Sequence, residues 1–184
     1  MSDLKQVKIY IFGASGSGTT TLGARIAAQT GLVHVDCDDH FWAPVDPPFS
    51  QKQEPAQRLA SLENAVGSGG WVLSGACHGW GARIVAQADL VVFVSAPSQV
   101  RLKRLIDREH ARFGERIAKG GDMRRIHVDF LEWARGYDTA DHTGRNRASH
   151  DAWLAQLTTP QCHIYGDQPL EESLERVSAC IATL

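Results

Sequence analysis

The sequence lacks a long uninterrupted run of apolar residues, and its cysteines form no recognisable motif. The short apolar run that follows Met1 carries Lys5 and Lys8, so it predicts neither a signal sequence nor a membrane-spanning helix. The four cysteines occur without a Cys-x-x-Cys pair, at Cys37, Cys77, Cys162 and Cys180. Such a scatter is typical of reduced, structural thiols. We therefore expect a cytoplasmic protein with no membrane partner.

A strong excess of one charge is also absent. The 184 residues carry a formal net charge of −2, which argues against bulk binding to nucleic acid or to a membrane surface. Hydrophobic residues make up 43% of the chain and charged residues 22%, as in ordinary globular proteins. Arginine is unevenly distributed, because ten of the fourteen arginines lie between Arg101 and Arg147. The length predicts one domain over residues 1–184, and the arginine distribution predicts a local electropositive segment. We expect a monomer or a dimer.

Apolar runs that suit buried strands alternate along the chain with segments of helical periodicity. The predicted strands are residues 7–12, 32–37, 71–74, 90–95 and 162–165. This alternation predicts an α/β fold, in which helices cover both faces of a parallel sheet of these five strands. Ligands of such sheets bind beyond the carboxyl ends of the strands. We therefore expect the segments that follow the strands to meet at one edge and to form the functional site.

A glycine-rich stretch, Gly13-Ala14-Ser15-Gly16-Ser17-Gly18-Thr19-Thr20-Thr21, follows the first predicted strand and opens a helical pattern. Backbone N–H groups in such a turn point inward, and the helix dipole favours negative charge there. The spacing matches the pattern G-x-x-x-x-G-K-[ST], except that Thr19 stands at the lysine position. The residues predicted to hold nucleotide phosphates are Gly13, Ser15, Gly16, Ser17, Gly18, Thr19, Thr20 and Thr21. The hydroxyl of Thr20 or Thr21 is a candidate ligand for Mg²⁺.

Two other interpretations of the glycine stretch remain open. Gly13, Gly16 and Gly18 resemble a scrambled G-x-G-x-x-G, and Asp36 lies about where the ribose-binding acid of a dinucleotide site would be. Alternatively, the stretch is a tight strand-to-helix turn that needs glycine only for its backbone shape. The three consecutive threonines at the helix start favour phosphate and metal over a dinucleotide.

An acidic tract, Asp36-Cys37-Asp38-Asp39, ends the second predicted strand. On a strand, Asp36 and Asp38 share one side. One carboxylate of such a pair can organise hydrated Mg²⁺ while the other accepts the proton of an attacking hydroxyl. The tract could instead merely cap the strand. A zinc site is a further alternative on ligand chemistry, although its candidate ligands have no recognised spacing: His34, Asp36, Cys37 and His40.

Three motifs carry a family resemblance. The glycine stretch is similar to G-A-P-G-A-G-K-G-T, and residues 71–75 are similar to G-[FW]-[VI]-[LI]-D-G, with Ser74 in place of the aspartate. Residues 165–172 are similar to D-G-x-x-P-x-E-E. In this order and spacing they resemble the adenylate-kinase-like P-loop kinases, a family that includes nucleoside monophosphate, shikimate and gluconate kinases. The resemblance covers nearly the whole chain. It implies a three-layer P-loop NTPase fold with a lid insertion, and ATP and Mg²⁺ as cofactors.

The resemblance also implies roles for particular residues. Asp38 would orient the acceptor hydroxyl, and Asp36 would join Thr20 in the metal shell. The loop that would hold adenine consists of Gly166, Asp167, Gln168 and Pro169. The catalytic arginines would be Arg108, Arg112 and Arg116 of the lid, with Arg145 or Arg147 as a later pair. Arg101 and Arg104 share the helical face of Arg108 and could be only a solvated surface.

Two segments of the chain extend from the single domain in this scheme. Residues 39–70 would form an acceptor-side excursion, and residues 109–121 would form the lid. His78 and Arg83 are candidate acceptor contacts, or parts of an ordinary glycine-rich loop. The function implied is an ATP-dependent phosphotransferase for a small hydroxylated or phosphorylated metabolite, a nucleoside or nucleotide among them. The alternative is a nucleotide-binding sensor or scaffold without efficient catalysis, because Thr19 and Ser74 depart from family positions that handle phosphate or metal.

Overall fold

The fold is organised around one parallel sheet. The computed structural model describes residues 6–139 and 142–184; Lys5 of the short initial run and residues 140–141 lie outside them. The strands are β1 (Lys8–Gly13), β2 (Val33–Asp36), β3 (Trp71–Ser74), β4 (Leu90–Ser95) and β5 (Gln161–Tyr165). They pair in the order β2-β3-β1-β4-β5, and every pairing is parallel. The predicted α/β fold with a five-stranded parallel sheet is confirmed.

Helices connect the strands and cover both faces of the sheet. They are α1 (Thr19–Thr30), α2 (Asp38–Phe41), α3 (Pro55–Val66), α4 (Ala82–Val85), α5 (Ser98–Phe113), α6 (Arg124–Arg135), α7 (Arg147–Leu154) and α8 (Leu170–Ile181). Short 3₁₀ helices at Gly114–Ile117 and Gly136–Asp138 follow α5 and α6. Within residues 6–139 and 142–184, no helix is both long and apolar enough to cross a membrane.

The central strand β1 is buried on both faces, which explains its continuous apolar sequence. Ile9 and Ile11 face a core that includes residues of α1 and α8. Tyr10 and Phe12 face a second core, where the ring of Trp153 from α7 packs edge-on against both. Because two layers of helices flank the sheet, the loops at its carboxyl edge are held from both sides.

The helix α5 is longer than the sequence pattern predicts. The charged composition after Arg108 predicts the start of an irregular lid there, whereas α5 continues to Phe113. The Glu109 side chain is 8% exposed, and its carboxylate lies 3.4 Å from Arg108 and 3.9 Å from Nδ1 of His127 on α6. Glu109 is thus buried against His127 of another helix although it is charged, so composition alone places the helix end too early. The first five residues of the predicted lid are helical.

Candidate active site

The glycine loop and the acidic tract meet at the carboxyl edge of the sheet. The Thr20 hydroxyl donates a hydrogen bond of 2.7 Å to Oδ2 of Asp36. The other carboxylate oxygen of Asp36 accepts a bond of 3.0 Å from the backbone N–H of Asp38. The two residues predicted as the metal shell are therefore in direct contact. Oxygen ligands of this kind suit Mg²⁺, and a metal ion held between them would replace the hydrogen bond that now joins them.

The glycine loop is fixed tightly by its neighbours. A Cβ added to Gly13 would lie 2.2 Å from the carbonyl oxygen of Val94 on β4, and one added to Gly16 would lie 2.6 Å from that of Arg101 on α5. Gly16 and Gly18 have φ of 81° and 107°, which favour glycine. No side chain caps the start of α1, so its first N–H groups can receive an anion. Among the described residues, the buried Ser17 hydroxyl has no partner. These features fit the phosphates of a nucleotide.

The remaining predicted phosphate residues lie on the same loop or on the first turn of α1. Ser15 and Thr19 are half-buried, whereas Thr20 and Thr21 are exposed. Thr19 carries no positive charge, so the loop itself lacks the cation that the lysine of the pattern would supply.

Two arginines of α5 lie against the loop. The alternative of a solvated surface is wrong for Arg101, whereas Arg104 is exposed and contacts the loop at one edge. Arg101 is fully buried and donates to the carbonyl of Ala96 and the carboxylate of Asp138. Nη1 of Arg104 lies 3.4 Å from the carbonyl oxygen of Ser17. Helical spacing shows that these arginines share a face, but it cannot tell which face packs on the sheet. The positive charge nearest to the loop in the described contacts is thus Arg104.

The Asp38 carboxylate lies between charges of both signs. Asp38 is exposed at the surface. Partial burial of its carboxyl group and the charge of Asp36 raise the pKa of Asp38, while the positive charges of Arg145 and Arg108 oppose the rise. Two of the predicted catalytic arginines therefore act electrostatically on the predicted acceptor-orienting residue. Arg145 is also held in place, with its guanidinium 5.1 Å from the Trp133 ring centroid.

The other predicted catalytic arginines have different surroundings. Arg112 is exposed near the end of α5. Arg116 forms ion pairs with Asp46 and Asp122. Arg147 pairs with Asp151 on its own helix α7. The described contacts bring none of these three to Asp38.

The predicted adenine loop lies beside the glycine loop. A Cβ added to Gly166 would lie 2.1 Å from the carbonyl oxygen of Ser17, and the N–H of Gly166 donates to the carbonyl of Ser95 at 2.6 Å. Asp167 and Arg147 line a cavity of about 360 Å³ at this edge. Gln168 and Pro169 complete the turn into α8, which begins at Leu170. The sequence motif of residues 165–172 thus lies next to the glycine loop and contributes to a pocket there.

Ser74, which stands where the family motif has an aspartate, contacts a histidine. Ser74 is fully buried, and its hydroxyl lies 3.0 Å from Nε2 of His34 on β2. The His34 ring approaches α1 closely, since a Cβ added to Gly23 would lie 2.7 Å from Nε2. His40 in turn pairs with Ser61 at 2.7 Å. Both histidines of the zinc alternative therefore contact serine hydroxyls. The ligand atoms that lie within 4.8 Å of one another belong to Asp36, Cys37 and Asp38.

A cluster of two histidines lies on the side of the sheet opposite α1, with His150 on α7 and His78 in the loop after β3. Nδ1 of His78 is 3.3 Å from the Tyr10 hydroxyl, and Nδ1 of His150 is 2.8 Å from the Tyr137 hydroxyl. Burial and the charge of Arg145 lower the pKa of His78 to about 4. Burial, His78 and nearby arginines lower the pKa of His150 to about 3. No local sequence pattern signals this cluster.

The cluster predicts that the protein loses stability in mild acid. A histidine whose pKa is lowered by folding binds its proton more readily in the unfolded chain, so stability falls as the pH drops below the unfolded value near 6.5. Between about pH 7.5 and about pH 5, His150 alone should cost roughly 2 kcal/mol of unfolding free energy. Urea unfolding at several pH values measures this loss.

Two variants separate the contribution of the cluster from other titrations. His150→Gln keeps an acceptor for Tyr137 but does not titrate, so it should flatten the pH dependence. His163→Gln, at an exposed histidine, should leave the dependence unchanged. Equal pH dependence in the wild type and His150→Gln would refute the assignment.

The strand order distinguishes this site from a dinucleotide site. In the dinucleotide-binding fold β2 lies directly beside β1. Here β3 lies between them, and the Asp36 carboxylate contacts the threonine at the start of α1 instead. The geometry therefore favours a phosphate and metal site over ribose recognition by Asp36.

The fold and the loop define the class of the protein, and comparison with known proteins gives the family. A shikimate kinase from Bacteroides thetaiotaomicron has the same fold, with a TM-score of 0.57 at 16% identity over 96% of this chain and 98% of that one. A cytidylate kinase from Pyrococcus horikoshii is 32% identical over 117 residues, which are 55% of this chain and 57% of that protein. The fold is thus that of the P-loop kinases.

The family is shown by a relative of nearly equal length. The uncharacterized protein YqaC of Bacillus subtilis is 39% identical over 170 residues, 92% of this chain and 94% of that protein. The chain belongs to the same family as YqaC. No protein-family model matches the chain.

Proposed function

We propose that the protein is an ATP-dependent phosphotransferase that acts on a small hydroxylated or phosphorylated metabolite, a class that includes nucleosides and nucleotides. The observation that carries this proposal is the bond of 2.7 Å between Thr20 and Asp36. It joins the phosphate loop to the acidic tract, with Asp38 two residues further on. A site that only binds nucleotide has no need of a second carboxylate at this position. The names of the shikimate and cytidylate kinases support the same reaction class.

Each part of the site has a role in this reaction. The N–H groups of the glycine loop hold the nucleotide phosphates. Thr20 and Asp36 would hold Mg²⁺, which when bound neutralises phosphate charge. Asp38 accepts the proton of the acceptor hydroxyl, and its raised pKa brings it closer to the working pH of a general base. Arg108 and Arg145 stabilise negative charge on the transferred group.

The missing lysine calls for another cation. Arg104 is the best candidate, because one nitrogen of its guanidinium already lies 3.4 Å from the Ser17 carbonyl. The remaining N–H groups of that guanidinium can reach an anion held by the loop. Arg101, which is buried under Gly16, keeps α5 pressed against the loop and so keeps Arg104 in reach.

The competing proposal is a nucleotide-binding sensor or scaffold. It is favoured by Ser74, since a buried hydroxyl bonded to His34 cannot assist a metal as an aspartate would. It is favoured equally by the neutral Thr19. Both proposals predict nucleotide binding, and they differ in whether phosphate is transferred.

Calorimetric titration with ATP and Mg²⁺, followed by a product screen, separates the two proposals. The acceptor panel holds nucleosides, nucleoside monophosphates, shikimate and gluconate. Phosphate transfer to any of these acceptors supports the phosphotransferase, provided that the transfer is lost when Asp38 is replaced. Tight ATP binding with no transfer to any acceptor favours the sensor. Tight NADPH binding with weak ATP binding would overturn both.

A further inference from the structure

Two segments that are far apart in sequence touch each other. The acceptor-side loop (residues 42–52) is closed by an antiparallel bridge between Trp42 and Lys52. Asp46 near its tip forms an ion pair of 2.7 Å with Arg116 of the lid segment (residues 109–121). The same guanidinium contacts the Asp122 carboxylate at 2.6 and 3.1 Å. Asp122 thus holds the Arg116 guanidinium beside the lid segment, and Asp46 is the contact of that guanidinium with the acceptor-side loop.

An aromatic contact joins the same two segments. Phe49 of the acceptor-side loop packs edge-on against Phe113 of the lid segment, with ring centroids 6.1 Å apart. On its other side the Phe49 ring meets Trp42 at 5.8 Å. Phe49 is the one non-glycine residue of positive φ among the described residues, at 64°. This backbone conformation costs a bulky residue free energy, and it persists where surrounding contacts hold it.

We propose that Asp46 and Arg116 form a latch between the acceptor-side loop and the lid segment. The inference rests on the proposed function, because it assumes that acceptor and nucleotide bind beneath these two segments. Arg116 is then a positioning residue, because one of its three hydrogen bonds to carboxylates reaches Asp46 of the acceptor-side loop and the other two hold it to Asp122. Through the latch, closure of the lid segment orders the acceptor-side loop, and ordering of the acceptor-side loop favours closure of the lid segment.

The strength of the contact suits a latch that must open in each cycle. The side chains of Asp46 and Arg116 are 77% and 37% exposed, so water and salt screen their attraction. Exposed pairs of this kind shift an equilibrium by about two- to fivefold. A shift of that size biases the closed arrangement without trapping the product.

The consequence for the reaction is a link between the two substrates. With the latch intact, a bound acceptor favours the lid position that excludes water from the phosphates. Without the latch, the acceptor-side loop is ordered less often, so the KM for the acceptor rises. Water also reaches the site more often, so a larger share of ATP is hydrolysed without transfer.

A double-mutant cycle tests the latch without any need for catalysis. The variants are Asp46→Asn, Arg116→Gln and the two together, and the readout is hydrogen–deuterium exchange in each segment. Asp46→Asn should speed exchange in the lid segment about two- to fivefold, and Arg116→Gln should do the same in the acceptor-side loop. The double variant should exchange no faster than the faster single variant. Added salt should speed exchange in the wild type more than in the variants, of which Asp46→Asn keeps the exposed pair of Arg116 with Asp122.

The control is Asp107→Asn, which breaks an exposed ion pair of 2.6 Å with Lys103 on α5 and should leave both segments unchanged. Additive effects, or faster exchange only in the segment that carries the substitution, would overturn the latch. The exchange result stands whether or not the protein transfers phosphate. If wild-type transfer is found, Asp46→Asn should raise the acceptor KM two- to fivefold while its kcat changes less; an unchanged acceptor KM would also overturn the latch.

Discussion

Asp38→Asn should lower the rate of phosphate transfer by about 10²- to 10⁴-fold. Asparagine has nearly the same shape as aspartate, so the loop geometry should persist, but its amide cannot accept the proton of the acceptor hydroxyl. Nucleotide affinity should stay within about twofold, because the glycine loop and Thr20 are untouched. Single-turnover transfer measured beside calorimetric ATP binding distinguishes the two effects.

The neighbouring carboxylate supplies the matched control. Asp39 is exposed and immediately follows Asp38 in the short helix α2. Asp39→Asn removes the same charge from the same tract, yet it should cost no more than about twofold, as exposed charges are screened. A comparable loss in both variants would show that the tract acts only through its total charge.

Arg145→Met should have the second largest effect, a loss of roughly 10²- to 10³-fold in transfer. It should also change the pH profile. The positive charge of Arg145 opposes the rise in the pKa of Asp38, so its removal raises that pKa further. Since Asp38 must be ionised to act as a base, the acid limb of kcat/KM against pH should move to higher pH. A structural role alone would lower the rate without moving this limb.

Arg125→Met is the control for Arg145. Arg125 is 93% exposed and pairs with Asp129 on its own helix α6, so its loss should leave both rate and pH profile unchanged. Arg145→Lys should be intermediate, because it keeps the charge but loses the planar fork above the Trp133 ring. An acid limb that stays in place in Arg145→Met would contradict the assignment.

The sequence was sufficient for the features that depend on local patterns. Continuous apolar runs predicted β1, β3 and β4 because these strands are buried on both faces of the sheet. Glycine spacing predicted the loop because Gly16 and Gly18 adopt positive φ and Gly13 has no room for a side chain. The contact of Thr20 with Asp36 follows from the meeting of strand ends at one edge.

Features that depend on distant packing could not be predicted. The spacing of Arg101 and Arg104 is compatible with a solvated or a packed face, and only the position of α5 decides that both lie against the loop. The pairing of Arg116 with Asp46 joins residues seventy positions apart. His78 and His150 meet because α7 lies over β1, and nothing near either residue in sequence signals it.

The central claim is that this lysine-less loop supports transfer of phosphate from ATP to a small molecule. The most direct test follows the label of γ-¹⁸O-labelled ATP, by mass spectrometry, in the wild type and in Asp38→Asn incubated with a pool of cellular small metabolites. We expect a labelled phosphorylated metabolite with the wild type and its near absence with Asp38→Asn. If ATP binds but its label appears only in inorganic phosphate released by hydrolysis, or in no product at all, the central claim is contradicted.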